Sequence, residues 1–134
     1  EIFEILPEGP VDRQPMNCRY DDQIKVLGRE IQAKLGNINT FMVGAGALGC
    51  EYVKAFALMG VGCGPQGKIH CTDNDNIEIS NLNRQFLFRK NNVGSSKSQT
   101  ACGIAQVFNP ELKVEGYTTY VDPSTESVFN DKFW

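Results

Sequence analysis

The stretch TDNDNIEISNLNRQFLFR, residues 72–89, carries more charged and amide side chains than a connecting loop needs. Arg84 lies inside it, and Lys97 follows at the start of a predicted helix. Two cations at the phosphate end of a nucleotide suit a displacement at phosphorus, because they offset the negative charge that builds up there. We therefore predict that Arg84 and Lys97 are catalytic residues that act on phosphates. The other polar candidates for this site are Asp73, Asn74, Asp75, Asn81 and Gln85.

A glycine-rich turn precedes this stretch. Gly44, Gly46 and Gly49 form a G-x-G-x-x-G pattern between the apolar run 38–43 and a segment of helix-forming residues. In that context Gly44 permits a tight turn, Gly46 lets the backbone approach a ligand, and Gly49 lets helix and strand pack closely. The N-terminus of the helix favours an anion. The pattern predicts a nucleotide-binding turn without saying which nucleotide, and a turn without a ligand is the alternative.

Asp73 is the acidic residue at the end of the second predicted strand, 68–72. In nicotinamide enzymes an acid about 20 residues beyond the glycines binds the ribose hydroxyls. Taken alone, this spacing favours an NAD-dependent oxidoreductase. Arg84 and Lys97 argue against that class, because hydride transfer needs no pair of cations beside the phosphates.

The elements that must position these residues follow from apolar periodicity. Helices are predicted over 22–35, 50–59, 96–108 and 125–134, and strands over 38–43, 68–72 and 113–121. Strands that alternate with helices imply a parallel sheet. We predict an α/β fold, Rossmann-like, with a mostly parallel sheet flanked by helices and truncated at its C-terminus. Residues 1–20 are expected to be a linker arm, and residues 21–134 the N-terminal part of a nucleotide-binding domain from a larger protein.

Composition narrows the possible partners. The net charge of -3 argues against a nucleic-acid partner, which would require a basic face. We also predict no membrane partner, since no window approaches 18 consecutive apolar residues, and no signal peptide, since the acidic N-terminus lacks a basic start. The five cysteines form no C-x-x-C pair, which argues against a zinc site and fits a reducing compartment.

Three other residues are reactive by type. Cys50 is predicted just inside a helix N-terminus, which can lower the pKa of a thiol. Its place beside Gly49 nevertheless favours packing. Cys63 is predicted in an exposed loop. His70 is predicted in the middle of a strand, where packing is the expected role.

Three segments, GAGALGCE, TDNDNIEISNLNRQFLFR and VGSSKS, closely resemble the ubiquitin-activating enzymes, in particular their second, active adenylation domain. They are more loosely similar to the bacterial adenylating enzymes of thiamine and molybdopterin biosynthesis. The resemblance covers about residues 19–134. It implies an enzyme that binds ATP and Mg²⁺ and adenylates the C-terminal glycine of ubiquitin, before a cysteine elsewhere captures the ubiquitin as a thioester. Alternatives are an enzyme for another ubiquitin-like modifier and a catalytically silent half, which should lack the phosphate-facing residues.

The resemblance also implies partners and a location: ubiquitin, the inactive adenylation half of the same enzyme, ubiquitin-conjugating enzymes through other domains, and a place in cytoplasm and nucleus. By position, it implies that Asp73 binds the ribose and that Asp75 lies near the phosphates or the metal. The residues implied to line the phosphate path are Asn81, Arg84, Gln85 and Lys97. The main magnesium-binding aspartate and the ubiquitin-carrying cysteine are expected beyond residue 134.

One departure from the related sequences concerns the first helix. Homodimeric relatives carry R-Y-S-R-Q there, and the second arginine reaches into the partner's site. This chain reads Arg19-Tyr20-Asp21-Asp22-Gln23, with Asp22 at the arginine position. We therefore expect the helping arginine to come from a different adenylation half, and the isolated fragment to be inactive.

Overall fold

The computed structural model describes residues 9–133, and residues 1–8 and Trp134 lie outside it. The helices are α1 (Asp21–Leu27), α2 (Arg29–Gly36), α3 (Ala47–Met59) and α4 (Lys97–Phe108), and the strands are β1 (Asn39–Val43), β2 (Lys68–Thr72) and β3 (Val114–Tyr117). Single turns of 3₁₀-helix occur at Ile79–Asn81, Lys90–Asn92 and Pro123–Thr125. The predicted strands 38–43 and 68–72 and the helix 96–108 are confirmed. The predicted helix 50–59 is confirmed too, but begins earlier, at Ala47.

The three strands form one parallel sheet in the order β1-β2-β3. Val43 lies opposite Thr72, and Thr72 lies opposite Tyr117, so the carboxyl ends of all three strands meet at one edge. The predicted parallel α/β fold is therefore confirmed. The predicted strand 113–121 is too long, because β3 ends at Tyr117, opposite the last residue of β2. Just beyond β2, the Asp73 N–H donates to the Tyr117 carbonyl at 3.0 Å.

Helices α3 and α4 pack against each other and cover one face of the sheet. Val53 and Ala57 of α3 meet Ala105 of α4 above Ile69 of β2, and all four side chains are fully buried. Since side chains alternate along a strand, Ile69 and Cys71 point toward the helices and His70 points to the opposite face. Burial of this apolar surface is the main source of the domain's stability.

Aromatic rings cover the opposite face of the sheet. Phe41 lies beside His70 in register, and the rings of Phe129 and Phe133 stand 5.2 and 5.1 Å from that of Phe41. The predicted helix over 125–134 is wrong for the described residues, which form turns after the short 3₁₀-helix. Side chains that bond to the backbone favour turns here. Asp122 accepts the Ser124 N–H at 2.7 Å, and Thr125 donates to the Tyr120 carbonyl at 2.7 Å.

The predicted helix 22–35 is wrong as a single element, because the chain breaks at Gly28 into α1 and α2. Gly28 has φ 90° and ψ 160°, which no α-helix contains. A Cβ on Gly28 would overlap the side chain of Val11. The chain therefore leaves the helix at Gly28 so that a segment from the predicted linker arm can lie against it.

That segment is fastened to the start of α2 by Arg29. The Arg29 N–H donates to the Asp12 carbonyl at 2.9 Å, and its guanidinium donates to the carbonyls of Gln14 and Pro15 at 2.8 Å each. Residues 11–15 of the predicted arm therefore pack on the domain.

Asn109 joins three elements at the end of the domain opposite the carboxyl ends of the strands. Its side-chain amide is fully buried and donates to the Tyr20 hydroxyl at 2.7 Å and the Ala57 carbonyl at 2.8 Å. A third contact, 3.2 Å long, goes to the Cys63 sulfur. Cys63 is therefore half-buried and partnered, and the prediction that it is exposed is wrong.

Candidate functional site

The glycine turn connects β1 to α3 at the carboxyl edge of the sheet. Gly44 has φ 100°, in the region that favours glycine, and its N–H donates to the Thr72 carbonyl at 2.7 Å. Helix α3 starts just after Gly46, and a Cβ on Gly49 would overlap the Gly44 carbonyl oxygen. The turn therefore requires glycine at positions 44 and 49 for backbone reasons alone, and the ligand-binding role of the three glycines stays a prediction.

Asp73 fastens the glycine turn to the segment that follows β2. Its Oδ2 accepts the Ala45 N–H at 2.6 Å, and its Oδ1 accepts the Asp75 N–H at 2.9 Å. Both carboxylate oxygens are thus already hydrogen-bonded by backbone. Ribose binding by Asp73 stays a prediction. Asn74 beside it is exposed, and the structure gives its side chain no hydrogen bond to another described residue.

Lys97 opens α4 and is held by Asp75. Its Nζ lies 2.7 Å from Asp75 Oδ2, and its backbone N–H donates to the Asp75 carbonyl at 3.1 Å. Lys97 is only 7% exposed, whereas the Asp75 side chain is 61% exposed. Ser96 caps the helix by accepting the Gln99 N–H at 3.4 Å. A buried ammonium is thus kept beside a carboxylate that still faces solvent.

A polar cavity of about 300 Å³ lies beside this ion pair. Its lining residues are Asp75, Asn76, Glu78, Asn81, Arg84, Gln85 and Lys97. Five of them are predicted site residues, whereas Asp73, Asn74 and the three glycines do not line it. Asn76 and Glu78 were missed from the sequence. Glu78 had a signal, since it stands three residues before Asn81, the spacing at which side chains cap a helical turn.

Asn81 organises the turn that carries Arg84 and Gln85. Its Oδ1 accepts the Glu78 N–H at 2.9 Å, and its carbonyl accepts the N–H groups of Arg84 and Gln85 at 3.1 and 2.9 Å. The Arg84 side chain is exposed and donates through Nη1 to the Ser80 carbonyl at 2.9 Å. The turn therefore presents the guanidinium at the cavity while leaving it accessible.

Gln85 lies between the polar cavity and the glycine turn. It is 4% exposed, and its Nε2 is 4.0 Å from the position that a Cβ on Gly46 would occupy. Within residues 9–133, its Oε1 is the one fully buried side-chain polar atom without a hydrogen-bond partner. Leu87 and Phe88, which follow it, are buried in the core. A buried acceptor without a partner marks a position where a bound group is expected to donate.

A second, apolar cleft of about 470 Å³ lies along the glycine turn. Its lining residues are Met42, Val43, Gly44, Gly46, Ala47, Leu48, Gly49 and Tyr52. Leu48 and Tyr52 are more than half exposed there. Gly46 lines this cleft and also faces Gln85 of the polar cavity, so the two concavities adjoin. An apolar wall beside a polar, cation-bearing one suits a ligand that is flat at one end and anionic at the other.

Cys50 and His70 have packing roles, as predicted. Cys50 is fully buried, and burial raises the pKa of its thiol to about 11, so the nearby helix N-terminus does not make it a thiolate. The His70 Nδ1 lies 3.0 Å from the Tyr117 hydroxyl, and the two rings stack at 5.8 Å. Burial lowers the pKa of His70, which keeps the ring neutral within the aromatic layer.

The sequence model described as the ThiF family matches residues 20–134 of this chain. The chain belongs to the ThiF family. This ThiF domain is 52% identical over 134 residues to ubiquitin-like modifier-activating enzyme 1 of Dictyostelium discoideum. It is 52% identical over 137 residues to ubiquitin-activating enzyme E1 1 of Arabidopsis thaliana. Each match covers 100% of the chain and 13% of the relative, so the chain spans about an eighth of the length of these relatives.

Solved structures share the architecture of this ThiF domain. The E. coli protein MccB with ATP superimposes with a TM-score of 0.72 at 28% identity, over 90% of this chain and 36% of that one. E. coli tRNA N6-threonylcarbamoyladenosine dehydratase, TcdA, in complex with ATP gives a TM-score of 0.73 at 24% identity, over 83% of this chain and 44% of that one. The second likeness concerns the fold alone. Together they establish the Rossmann-like fold of the ThiF domain.

Two further properties of the ThiF domain bear on its chemistry. Within residues 9–133, no three His, Cys, Asp or Glu side chains are grouped so that they could hold a metal ion. Asp75, the candidate metal contact, forms an ion pair with Lys97. In the same part of the chain, the helices are all too short or too polar to cross a membrane.

Proposed function

We propose that this ThiF domain binds ATP for the adenylation of the C-terminal glycine of ubiquitin, the first step of ubiquitin activation, in the full-length protein that carries it. The observation that carries the proposal is the polar cavity, where Arg84 and the buried Lys97 stand beside the carboxyl ends of the strands and next to the glycine turn. Ligands of open α/β sheets bind at that edge. Two cations suit phosphate chemistry, whereas hydride transfer by an NAD-dependent oxidoreductase does not require them.

The residues present fit a nucleotide. The glycine turn with the free N-terminus of α3 suits an anion, the apolar cleft suits a base, and the orphaned Gln85 oxygen suits a donor. Bound ATP would supply an α-phosphorus that a substrate carboxylate oxygen attacks, while the bond to the departing pyrophosphate breaks and its electron pair leaves with pyrophosphate. Arg84 and Lys97 would offset the charge that grows on the phosphate oxygens, and Asp75 keeps the Lys97 ammonium in place.

Mg²⁺ is proposed as a cofactor of the full-length protein. The described residues fit it only in part, because Asp75 is exposed and Glu78 lines the same cavity, but no third His, Cys, Asp or Glu side chain among them completes a ligand group. No step is assigned to the metal. Asp75 would face it from this domain, and ATP phosphates and residues outside the chain would complete its ligands.

The proposed partners are ubiquitin, an inactive adenylation half and, through other domains, ubiquitin-conjugating enzymes, in cytoplasm and nucleus. Asp22 supports the proposal that an inactive adenylation half is a partner. Its side chain is 95% exposed and pairs with Lys25 at 2.7 Å on α1, which packs near Met59 at the far end of α3 from the glycine turn. Because this position carries an acid, a second copy of the domain would bring no arginine to the site, and the arginine that supplements Arg84 is proposed to come from the inactive half.

Activation of another ubiquitin-like modifier is the second candidate. The domain is 45% identical over 140 residues to ubiquitin-like modifier-activating enzyme 7 of Mus musculus, less than to the ubiquitin-activating enzyme of Arabidopsis thaliana at 52%. The exchange assay decides between the two candidates, because ubiquitin-like modifier-activating enzyme 1 of Dictyostelium discoideum is also 52% identical.

The test is modifier-dependent exchange of pyrophosphate into ATP by the full-length protein, with ubiquitin and other modifiers compared. Arg84→Ala and Lys97→Ala should each slow exchange by about a hundredfold, the effect of removing one transition-state donor. Lys90→Ala is the matched control, since Lys90 is an exposed cation of the same segment that does not line the cavity. Unchanged exchange in both variants would refute the assignment. Tight NAD binding without ATP binding would replace it with the oxidoreductase.

A further inference from the structure

Asp73 links the glycine turn to Lys97 through an unbroken series of hydrogen bonds. The Ala45 N–H of the turn donates to Asp73 Oδ2 at 2.6 Å, and Asp73 Oδ1 accepts the Asp75 N–H at 2.9 Å. The Asp75 carboxylate then holds the Lys97 ammonium at 2.7 Å. The series therefore joins the turn after β1, the segment after β2 and the first residue of α4.

The last link of the series has a strict geometric requirement. Lys97 is 7% exposed, and a buried ammonium needs a partner at a defined place. Asp75 is mostly exposed, so burial does not fix its carboxylate. Its backbone is fixed from two sides instead, by its N–H bond to Asp73 and by its carbonyl, which accepts the Lys97 N–H at 3.1 Å. The orientation of Asp75 therefore depends on the Asp73 carboxylate.

We propose that Asp73 is a positioning residue for Lys97, acting through Asp75, in addition to any contact that it makes with a nucleotide. The hydrogen-bond series connects the glycine turn, which is proposed to bind one end of the nucleotide, to Lys97, which is proposed to bind the other end. Loss of the Asp73 carboxylate frees the Asp75 N–H, lets the Asp75 carboxylate rotate into solvent, and leaves the ammonium without its partner. The kinetic part of this inference rests on the proposed function, and the structural part does not.

The structural part is tested by trace acetylation of the full-length protein with acetic anhydride, followed by mass spectrometry of each lysine. Asp73→Ala and Asp75→Asn should each raise the labelling of Lys97 by about tenfold, the factor that corresponds to losing one charge-assisted hydrogen bond. The double variant should show no further rise, because both changes break one series. Labelling of Lys97 that rises in Asp75→Asn but not in Asp73→Ala overturns the proposal.

Glu115→Gln is the matched control for the labelling. It removes the acid of another lysine pair, Lys68 with Glu115 at 2.6 Å, on the sheet. It should raise labelling of Lys68 and leave Lys97 unchanged. Asp73→Asn serves where Asp73→Ala unfolds the protein, since it keeps one acceptor oxygen for one of the two backbone amides and should give an intermediate rise.

The kinetic part compares ATP with 2′,3′-dideoxy-ATP, which lacks the ribose hydroxyls. If Asp73 positions Lys97, Asp73→Ala lowers kcat of pyrophosphate exchange by about tenfold with both nucleotides. A loss that disappears with the dideoxy nucleotide shows a ribose contact alone and overturns the proposal. Failure of the proposed function is separable, because a wild-type protein without modifier-dependent exchange still gives the lysine labelling pattern.

Discussion

Gly49 of α3 lies against the carbonyl oxygen of Gly44, so closely that a Cβ on Gly49 would overlap that oxygen. The first turn of the helix and the glycine turn are therefore in direct backbone contact. The shape of the turn depends on the helix, since neither can move without the other. A methyl group added at Gly49 would therefore disturb the candidate nucleotide site, although Gly49 is not one of the polar residues of that site.

We expect Gly49→Ala to lower the free energy of unfolding by about 1–3 kcal/mol, the usual cost of overpacking, and to weaken ATP binding. Urea unfolding of the chain and calorimetric titration of the full-length protein with ATP measure the two effects. Gly103→Ala is the matched control, because Gly103 also lies within a helix but has open space around it. It should stabilise the chain by up to about 1 kcal/mol. Equal stability changes in the two variants would contradict the contact.

Gly28→Ala should release the segment 11–15 from α2. The variant combines strain at φ 90° and ψ 160° with an overlap against Val11, and we expect a loss of about 2–4 kcal/mol from the two together. Gly94→Ala separates backbone strain from overlap, since Gly94 has φ 88° and lies in open space. This variant should lose about 1–2 kcal/mol of stability from strain alone. Limited proteolysis should cut residues 9–15 faster in Gly28→Ala only.

Asn109→Ala should destabilise the chain more than any one of its contacts suggests. It leaves the buried Ala57 carbonyl without its side-chain donor, at about 1–3 kcal/mol, and it also removes the bond to the half-buried Tyr20 hydroxyl. Tyr20→Phe removes one of these bonds and should cost about 1 kcal/mol. Urea unfolding of both variants gives the comparison, and a Tyr20→Phe loss as large as that of Asn109→Ala would show that the hydroxyl bond alone matters.

The buried Cys50 thiol makes the domain sensitive to alkaline pH. Burial raises the pKa of Cys50 from an ordinary value of 9.0 to about 11. A raised folded-state pKa means that the contribution to stability is complete below the ordinary value and is lost as the pH rises toward 11. The free energy of unfolding should therefore fall between pH 9 and about 11, and less steeply in Cys50→Ala. The converse trend would contradict this assignment.

Alkylation with iodoacetamide gives an independent check on the same cysteines. At about pH 8, near the ordinary pKa of a thiol, Cys18 should react first because it is exposed. Cys50, Cys71 and Cys102 are buried and should react only on unfolding. Mass spectrometry of each cysteine measures the order.

Strand β2 could be predicted to the residue, because KIHCT places apolar Ile69 and Cys71 at alternating positions, with a glycine before the segment and an acid after it. The break at Gly28 could not, since it depends on Val11, which is distant in sequence and contacts the glycine only in the folded state. The C-terminal turns were missed for a similar reason. Their Phe129 and Phe133 follow a helical spacing, but contact with Phe41 on the sheet decides their conformation.

The candidate site also has some features that the sequence predicts and others that it does not. Residue types and spacing led to Arg84 and Lys97, and the structure places both at one cavity. The pairing of Lys97 with Asp75 and the orphaned oxygen of Gln85 depend on side-chain positions to within an ångström, which no spacing specifies. The bond from the Asp75 N–H to Asp73 has the local spacing that aspartate favours, but the bond from the Ala45 N–H had no signal, because Ala45 lies 28 residues away.

The polar cavity contains two carboxylates, Asp75 and Glu78, together with two cations, Arg84 and Lys97. Opposite charges in equal number at such short range leave little field at a distance, since salt screens the remainder beyond about 10 Å. A polyanion therefore gains little attraction on approach and meets the cations only after arrival. Capture of the anion should proceed at an unsteered diffusional rate that changes little with ionic strength, and discrimination between ligands should lie in how slowly each one dissociates.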